Sequence, residues 1–293
     1  LHLSIRRQRQ MCIRDRYGSV RNFEDHYQFD MSHIFGGPGC LNPEVAKLRD
    51  AGEEITPEVL LSYPLPDPND MSQYQNIVEQ LDFHHQRDRF CYLQSNGIFE
   101  CLNDPFGIEN HLMYMLLYPD EIAEVYHRQA EWNKQFALNA IELGVDMIHV
   151  SDDWGAQKSL MFSPQLWRDL IYPNHKITAD AVKKAGAFLS LHSDGCIVDA
   201  VDGICELGYD VVHPWQESAG MSYDLYLNKY ADKFAILGGI CIQTTLGFGD
   251  YDRLEKEIRR VFSLLKGKRW ICCTTHFVPV SYTHLTLPTN REV

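Results

Sequence analysis

The chain has 293 residues, of which 45% are hydrophobic and 23% are charged, and its formal net charge is −13. This composition is typical of a globular protein with a sizeable core, and it excludes a largely disordered chain. The sequence contains no run of about 18 apolar residues, which excludes a membrane span. The excess of acidic over basic residues argues against nucleic acid as a partner. Because nine cysteines lack metal or disulfide spacing and no signal peptide precedes them, we expect a cytoplasmic protein.

Both ends of the chain differ from the rest. Residues 1–16 (LHLSIRRQRQMCIRDR) carry five Arg and one Asp without a helical or strand period, and residues 281–293 (SYTHLTLPTNREV) are also patternless. Both segments resemble translated sequencing-adapter reads, so we treat them as non-native tails; natural disordered tails are the alternative. On the adapter interpretation the gene is truncated at both ends, and residues 17–280 form the native domain.

Helices and apolar strands alternate from Pro119 onward. Helices are predicted at 119–143, from Ser163-Pro164 to Gly186 with a bend at Pro173, through Leu207, and at 251–266. Strands are predicted at 145–150, 187–191, 210–213, 234–237 and 269–275. Upstream the pattern is less regular, although Asn42-Pro43 and Thr56-Pro57 predict helix starts.

Five strands separated by helices predict parallel βαβ units and therefore an α/β fold. A barrel and an open doubly wound sheet both fit this order. No glycine-rich phosphate loop follows the strands, and polar residues end four of the five strands. We therefore expect a TIM (β/α)8 barrel, truncated at both ends, with its site at the carboxyl ends of the strands.

Candidate metal ligands stand at these strand ends. His192 and Asp194 follow one strand with a spacing of two, His276 follows a later strand, and Glu217 lies between them in the sequence. A barrel would direct all four toward one axis, where two imidazoles and one or two carboxylates suit Zn²⁺ or another divalent metal. The alternative is that His192 and Asp194 simply hydrogen-bond to each other.

Three carboxylates are candidate catalytic groups. Asp152 and Asp153 follow strand 145–150, so one side chain points inward and the other caps the next turn. At least one of them is predicted to bind substrate or to handle a proton, with capping as the alternative. Glu100 follows the short apolar stretch from Phe90 and is the third candidate, with a solvated surface charge as the alternative.

Aromatic and amide side chains beside the polar clusters are candidate substrate contacts. Trp154 follows the Asp pair, and Trp215 and Gln216 follow strand 210–213. These side chains are predicted to line a substrate pocket. Packing of both tryptophans in the core fits the sequence equally well.

Several motifs occur in an order that resembles a known superfamily. They are Gly97-Ile98-Phe99-Glu100, Gly107-Ile108-Glu109-Asn110, Asp152-Asp153-Trp154-Gly155, Ser163-Pro164-x-Leu166-Trp167, His192-Ser193-Asp194-Gly195 and Gly238-Gly239-Ile240. Over roughly residues 17–280 the chain resembles the uroporphyrinogen decarboxylase superfamily. The resemblance implies a TIM barrel that is either the haem-pathway decarboxylase or a corrinoid-linked methyltransferase, which moves a methyl group to a thiol.

The resemblance also implies which reaction to expect. The methyltransferases bind zinc with a strand-end His-x-Cys and a later Cys, and the matching residues here are His192, Asp194 and His276. The decarboxylase meets a polycarboxylate tetrapyrrole with an arginine-bearing N-terminal loop that this chain lacks, and the acidic strand ends would repel such a substrate. We therefore expect a methyltransferase-type enzyme with a divalent metal, a small-molecule substrate and a corrinoid partner protein. Decarboxylation, in which Asp152 or Asp153 would steady a protonated pyrrole, and a non-catalytic small-molecule-binding barrel are the alternatives.

Overall fold

A computed structural model describes residues 15–276 of the chain. The segments predicted to be non-native tails lie outside the described residues, except for Asp15 and Arg16. The strands β1–β7 are Met31–Ile34, Phe90–Asn96, Met147–Ser151, Phe188–His192, Val211–His213, Ala235–Ile240 and Trp270–Thr274. The helices α1–α12 are Val20–His26, Pro43–Asp50, Pro57–Ser62, Gln75–His85, Asn103–Phe106, Ile108–Leu117, Pro119–Glu142, Pro164–Leu166, Tyr172–Lys184, Val201–Leu207, Tyr223–Leu225 and Tyr251–Leu265.

The chain divides into two compact units. The larger unit is Met31–His213, and the smaller one consists of Leu1–Asp30 and Pro214–Val293, of which 15–30 and 214–276 are described. The larger unit therefore contains β1–β5 and α2–α10. The smaller unit contains α1, β6, β7, α11 and α12.

In the larger unit, β1–β5 form a parallel sheet in chain order. The predicted strands 145–150, 187–191 and 210–213 are confirmed within two residues at each end, and two upstream strands join them. β3 is buried along most of its length, as expected for a parallel strand that is covered on both faces. The parallel arrangement brings the carboxyl ends of all five strands to one edge of the sheet.

Helix α7 covers this sheet with an apolar face. The sequence predicts a helix at 119–143, and the structure contains it at Pro119–Glu142 with Ile122, Tyr126, Phe136 and Ala140 buried. Each large apolar side chain buried in this way contributes roughly 1.5–3 kcal/mol of stability. Helix α9 packs against α7 and so continues the layer.

The helix predicted to begin at Ser163-Pro164 contains a π-helical turn. Ser163 Oγ accepts a hydrogen bond from Leu166 N at 3.1 Å, which caps α8. The next five residues, Trp167–Ile171, are π-helical, and α9 begins directly after them. The distortion expected at Pro173 therefore lies just upstream of the proline, where a wider turn accommodates its missing N–H.

The smaller unit is built on the parallel pair β6 and β7, in which Gly238 lies opposite Cys272. Helix α12 buries Val261 and Leu265, as its predicted apolar face at 251–266 requires. The α/β class and the parallel strand pairing are thus confirmed in both units. The closed eight-stranded barrel is not: residues 15–276 contain seven strands. None of the helices in this part of the chain is both long and apolar enough to cross a membrane.

Candidate active site

Four polar side chains form a row across the carboxyl ends of adjacent strands in the larger unit. Asn96 of β2 lies opposite Ser151 of β3, Ser151 lies opposite His192 of β4, and His192 lies opposite His213 of β5. In a parallel sheet such register partners lie on the same face. This row defines the edge at which the candidate chemistry is assembled.

Asp152, one step beyond β3, is a buried anchor. Its Oδ1 accepts hydrogen bonds from Phe99 N at 2.8 Å and Glu100 N at 2.6 Å, and its side chain is 0% exposed. Its Oδ2 accepts from Ile98 N at 3.1 Å, Trp154 Nε1 at 2.8 Å and His175 Nε2 at 2.7 Å. Burial alone would raise the pKa of Asp152, but these hydrogen bonds and the imidazole outweigh it and hold the pKa below its ordinary value.

Asp152 therefore organises the loop after β2 rather than facing an open site. Gly97 is required there, because a Cβ at this position would lie 2.2 Å from Asp152 Cβ. Asp152 is the member of the Asp pair that points inward, and donors of the protein itself occupy both of its carboxylate oxygens. Of the two adjacent carboxylates, Asp153 is the one that reaches the site.

The loops after β3 and β4 cross at a pair of glycines. A Cβ on Gly155 would lie 2.3 Å from Asp194 O, and a Cβ on Gly195 would lie 2.5 Å from Gly155 O. Gly195 also has a φ of +79°, which favours glycine on its own account. Cys196 N donates to Ala156 O at 2.8 Å and completes the crossing. This close approach fixes the positions of Asp153 and Asp194, which lie shortly before the two glycines.

Asp153, Asp194 and Glu100 form an acidic cluster. Asp194 N donates to Asp153 Oδ1 at 2.8 Å, and Ser151 Oγ donates to Glu100 Oε2 at 2.8 Å. Burial and the charge of Asp153 raise the pKa of Glu100 to about 7 and that of Asp194 to about 7. Carboxyl groups with such values exchange protons near neutral pH, which is the property that a general acid or base requires.

Three histidines stand beside the acidic cluster. The Nδ1 atoms of His192 and His213 are 2.6 Å apart, and their rings stack with centroids 4.9 Å apart. The ring of His149 lies 6.0 Å from that of His192 and 5.8 Å from that of His213. His192 Nε2 lies 3.5 Å from Asp153 Oδ1, so the imidazole and carboxylate groups are contiguous.

The predicted metal ligands divide between the two units. His192 and Asp194 belong to the larger unit, and a ligand atom of each lies within 4.8 Å of the other. Glu217 and His276 belong to the smaller unit, where Arg260 forms an ion pair with Glu217. Their convergence with His192 and Asp194 stays a prediction.

The donor chemistry of the larger-unit pair suits a divalent ion of borderline hardness. Imidazole nitrogen and carboxylate oxygen are both common ligands of Zn²⁺. The two thiolates of the related methyltransferase motif are absent at these positions, since Asp194 and His276 occupy them. The residues therefore fit a divalent metal, without a preference for the softest ions.

The predicted substrate contacts lie in the cores of their units. Trp154 is 0% exposed and donates its indole N–H to Asp152, and Trp215 is 0% exposed and donates to Ser222 O at 3.0 Å. Gln216 is buried and donates to Gln243 Oε1 at 3.1 Å. Both tryptophans are buried as the core-packing alternative describes, and the role of these side chains as substrate contacts stays a prediction.

Three histidines of this edge are not among the residues predicted from the sequence. His149 lies within the predicted strand 145–150, His213 ends strand 210–213, and His33 lies in the unpredicted β1. His33 stacks on Tyr92 and its Nε2 lies 2.9 Å from Gln94 Oε1. The available signal was the recurrence of histidine at or near the carboxyl ends of successive parallel strands.

Comparison with known proteins agrees with this architecture. The family model "Uroporphyrinogen decarboxylase (URO-D)" matches residues 105–284. No curated protein matches the chain significantly. Among solved structures, a methyltransferase from Methanosarcina mazei aligns with a TM-score of 0.62 and 14% identity, covering 94% of this chain and 82% of its own. At that identity the likeness describes the fold alone.

Two further solved structures align more loosely. A B12-independent methionine synthase from Shewanella sp. W3-18-1 has a TM-score of 0.49 at 12% identity, covering 73% of this chain and 61% of its own. A 3-keto-L-gulonate-6-phosphate decarboxylase from Vibrio cholerae has a TM-score of 0.34 at 12% identity, covering 84% and 88%. Neither alignment informs the fold, but the family model spans more than half of the sequence. The chain therefore belongs to the uroporphyrinogen decarboxylase family, as its ordered motifs predict.

Proposed function

We propose that the protein is a methyltransferase-type member of its family, which transfers a methyl group from a corrinoid protein to a metal-activated acceptor. The observation that carries this proposal is the convergence of His192, Asp153 and Asp194 at the carboxyl ends of β3 and β4. In the proposal His192, Asp194 and His276 bind a divalent metal, with Glu217 as a fourth group. His192 and Asp194 then hold the metal beside the acidic cluster at one edge of the larger unit.

The chain's own residues would position and deprotonate the acceptor. A divalent ion bound at this edge would lower the pKa of a thiol or alcohol acceptor. Glu100, whose pKa is raised to about 7, would take the acceptor proton on its carboxylate. Asp153 would orient His192 through the 3.5 Å contact, and Asp152 would hold the backbone N–H of Glu100 in place. The acceptor's lone pair would then form the new bond to the methyl carbon, while the bond between that carbon and the corrinoid would break and leave its electron pair with the corrinoid.

The charge of the edge favours this reaction over decarboxylation of a polycarboxylate. Burial and the charge of Asp153 raise the pKa values of Glu100 and Asp194, so additional negative charge is disfavoured at this edge. Two like charges about 4 Å apart repel by roughly 4 kcal/mol at an effective dielectric constant of 20. A polyanionic tetrapyrrole would add to that repulsion, whereas a cation would relieve it.

The test measures metal content and methyl transfer on the same full-length samples. We expect wild-type protein to retain a divalent ion and to methylate a thiol from methylcobalamin, and the His192→Ala, His276→Ala double variant to lose both properties. His127→Ala is the matched control, because His127 is an exposed histidine of α7 that belongs to none of the groups of possible metal ligands among the described residues. Its metal content and activity should equal those of wild type.

Three outcomes would refute the proposal. Equal, negligible metal in wild type and double variant would remove the metal-activated acceptor. Turnover of uroporphyrinogen that is insensitive to chelation would establish the decarboxylase alternative, for which the family assignment speaks. Small-molecule binding that survives removal of Glu100, Asp153 and Asp194 without any turnover would establish a non-catalytic barrel.

A further inference from the structure

Two histidines that the sequence patterns do not identify lie beside His192, and their placement goes beyond the proposed function. We propose that His149, His192 and His213 form a tri-imidazole binding site for one Zn²⁺-class divalent ion. This site differs from the proposed set of His192, Asp194 and His276, with which it shares only His192. It lies entirely within the larger unit.

The sheet register brings the three imidazoles together. His192 and His213 are register partners on the adjacent strands β4 and β5. His149 of β3 lies opposite Ser190, two residues before His192 and therefore on the same face. Three consecutive parallel strands each contribute one histidine, so the backbone of the sheet rather than a flexible loop positions the donors. A site built on strands is held more accurately than one built on loops.

The spacing of the rings matches a tetrahedral ion. One ligand atom from each histidine lies within 4.8 Å of the other two. With metal–nitrogen bonds of about 2.1 Å, a tetrahedral ion separates the centroids of two bound imidazoles by roughly 5 Å. The three observed separations are 4.9, 5.8 and 6.0 Å. Small ring rotations therefore suffice, including an opening of the 2.6 Å contact between the Nδ1 atoms of His192 and His213.

The surrounding groups orient two of the three rings. His149 Nδ1 lies 2.8 Å from Ser190 Oγ, a contact that leaves Nε2 as the metal-binding atom. His192 Nε2 lies 3.5 Å from Asp153 Oδ1, a contact that leaves Nδ1 for the metal. Metal-ligating histidines characteristically hold their second nitrogen with a carboxylate or another polar group in this way. Ser190 and Asp153 are thus positioning residues for the site.

Three neutral imidazoles have a defined chemical consequence. They leave the ion with its full positive charge and, in a four-coordinate geometry, with one open position for water or an anionic ligand. The class of ligand expected at that position is a small oxygen or sulfur anion. Because both ligand sets contain His192, they are alternatives for one ion. Substitution of the residues that the two sets do not share shows which set binds it.

The experiment compares metal affinity among single variants of the full chain. Zn²⁺ affinity is measured by competition with a chelating dye, and Co²⁺ is used as a spectroscopic probe of tetrahedral coordination. We expect His149→Gln and His213→Gln each to weaken Zn²⁺ binding strongly and to abolish the tetrahedral Co²⁺ spectrum. Ser190→Ala, which removes only the orienting hydroxyl, should weaken binding by roughly 10- to 100-fold.

Matched controls distinguish this site from the proposed one and from a loss of folding. Asp194→Asn and His276→Gln test the ligand set of the proposed function, and His127→Gln, at an exposed histidine of α7 outside both ligand sets, should leave Zn²⁺ affinity within a few-fold of wild type. Far-UV circular dichroism in chelator verifies that each variant is folded before metal is added. His213→Gln is the decisive variant if His149→Gln fails to fold, because His213 is only half-buried.

The outcomes separate the two metal hypotheses. Loss of affinity in Asp194→Asn and His276→Gln, with none in His149→Gln and His213→Gln, would overturn the tri-imidazole site and support the proposed ligand set. Absence of tight Zn²⁺ binding by wild type would overturn both. Loss confined to the tri-imidazole variants would support this site whether or not the protein transfers methyl groups.

Discussion

Replacement of Asp152 by Asn keeps the shape of the side chain but exchanges an acceptor oxygen for a donor amide. Oδ2 of the wild-type residue accepts from Ile98 N, Trp154 Nε1 and His175 Nε2. In the variant His175 can adopt the tautomer that accepts at Nε2 and donates from Nδ1 to the Tyr209 hydroxyl, 2.7 Å away. The other two donors face an amide N–H₂ and lose their partner.

The magnitude follows from the two orphaned donors. Each buried donor without a partner costs about 1–3 kcal/mol, so the two orphaned donors together cost about 2–6 kcal/mol. We therefore expect Asp152→Asn to lower the free energy of unfolding by about 2–6 kcal/mol. Urea unfolding followed by circular dichroism measures this difference.

The control is Asp153→Asn, because Asp153 has the same side chain at the adjacent position but is 31% exposed. Asp153→Asn should lower the free energy of unfolding by less than about 1 kcal/mol, because it replaces a partly solvated carboxylate without burying an unpaired group. If the two variants unfold at the same urea concentration, the assignment of Asp152 as the anchor is incorrect.

Three other perturbations have definite expected results. Gly97→Ala should destabilise the protein measurably in urea, because its Cβ would overlap Asp152; wild-type stability would show that the loop is loose. Glu100→Gln should unfold at higher urea than wild type at pH 8, with the difference vanishing near pH 4.5, because the raised folded-state pKa of about 7 makes ionisation costly in the native protein. Burial lowers the pKa of His111 to about 3, so wild type should lose stability as the pH falls from 6.5 toward 3. His111→Gln should reduce the dependence of the unfolding free energy on pH by the equivalent of one bound proton. Parallel pH profiles of the variant and wild type would contradict this expectation.

The alternation of helices and strands was predictable because it depends on patterns within short stretches of the sequence. Pro119 at a helix start and the apolar run at 145–150 mark boundaries by propensity and periodicity alone. The strand β1 was missed, because four residues with one buried apolar side chain at Ile34 give too short a pattern. A four-residue strand is recognisable only from its pairing with Phe90–Leu93, which lie far away in the sequence.

The site was predictable in location but not in detail. Strand-end position identified Asp152 and His192, since parallel strands converge at one edge. Alternation predicted that one member of the Asp pair points inward, but only the distant donors of the loop after β2 identify it as Asp152. His149 resembles an apolar-strand residue in the sequence, because its neighbours Ile148 and Val150 are buried core residues. Its relation to His192 exists only once the register of β3 and β4 is known.

The π-helical turn at Trp167–Ile171 bears on which length changes this family member tolerates. Its five residues occupy a wider turn, so α9 begins with a rotational offset relative to a continuous α-helix. Four α-helical residues turn the chain through nearly the same angle as the five π-helical ones, because each α-helical residue contributes about 100°. Deletion of one residue within the turn would therefore give a regular α-helix and keep His175 near Asp152, its partner at 2.7 Å. Natural variants should accept the loss of one residue in this turn more readily than the loss of one residue between Tyr172 and His175, which would rotate His175 away by about 100°.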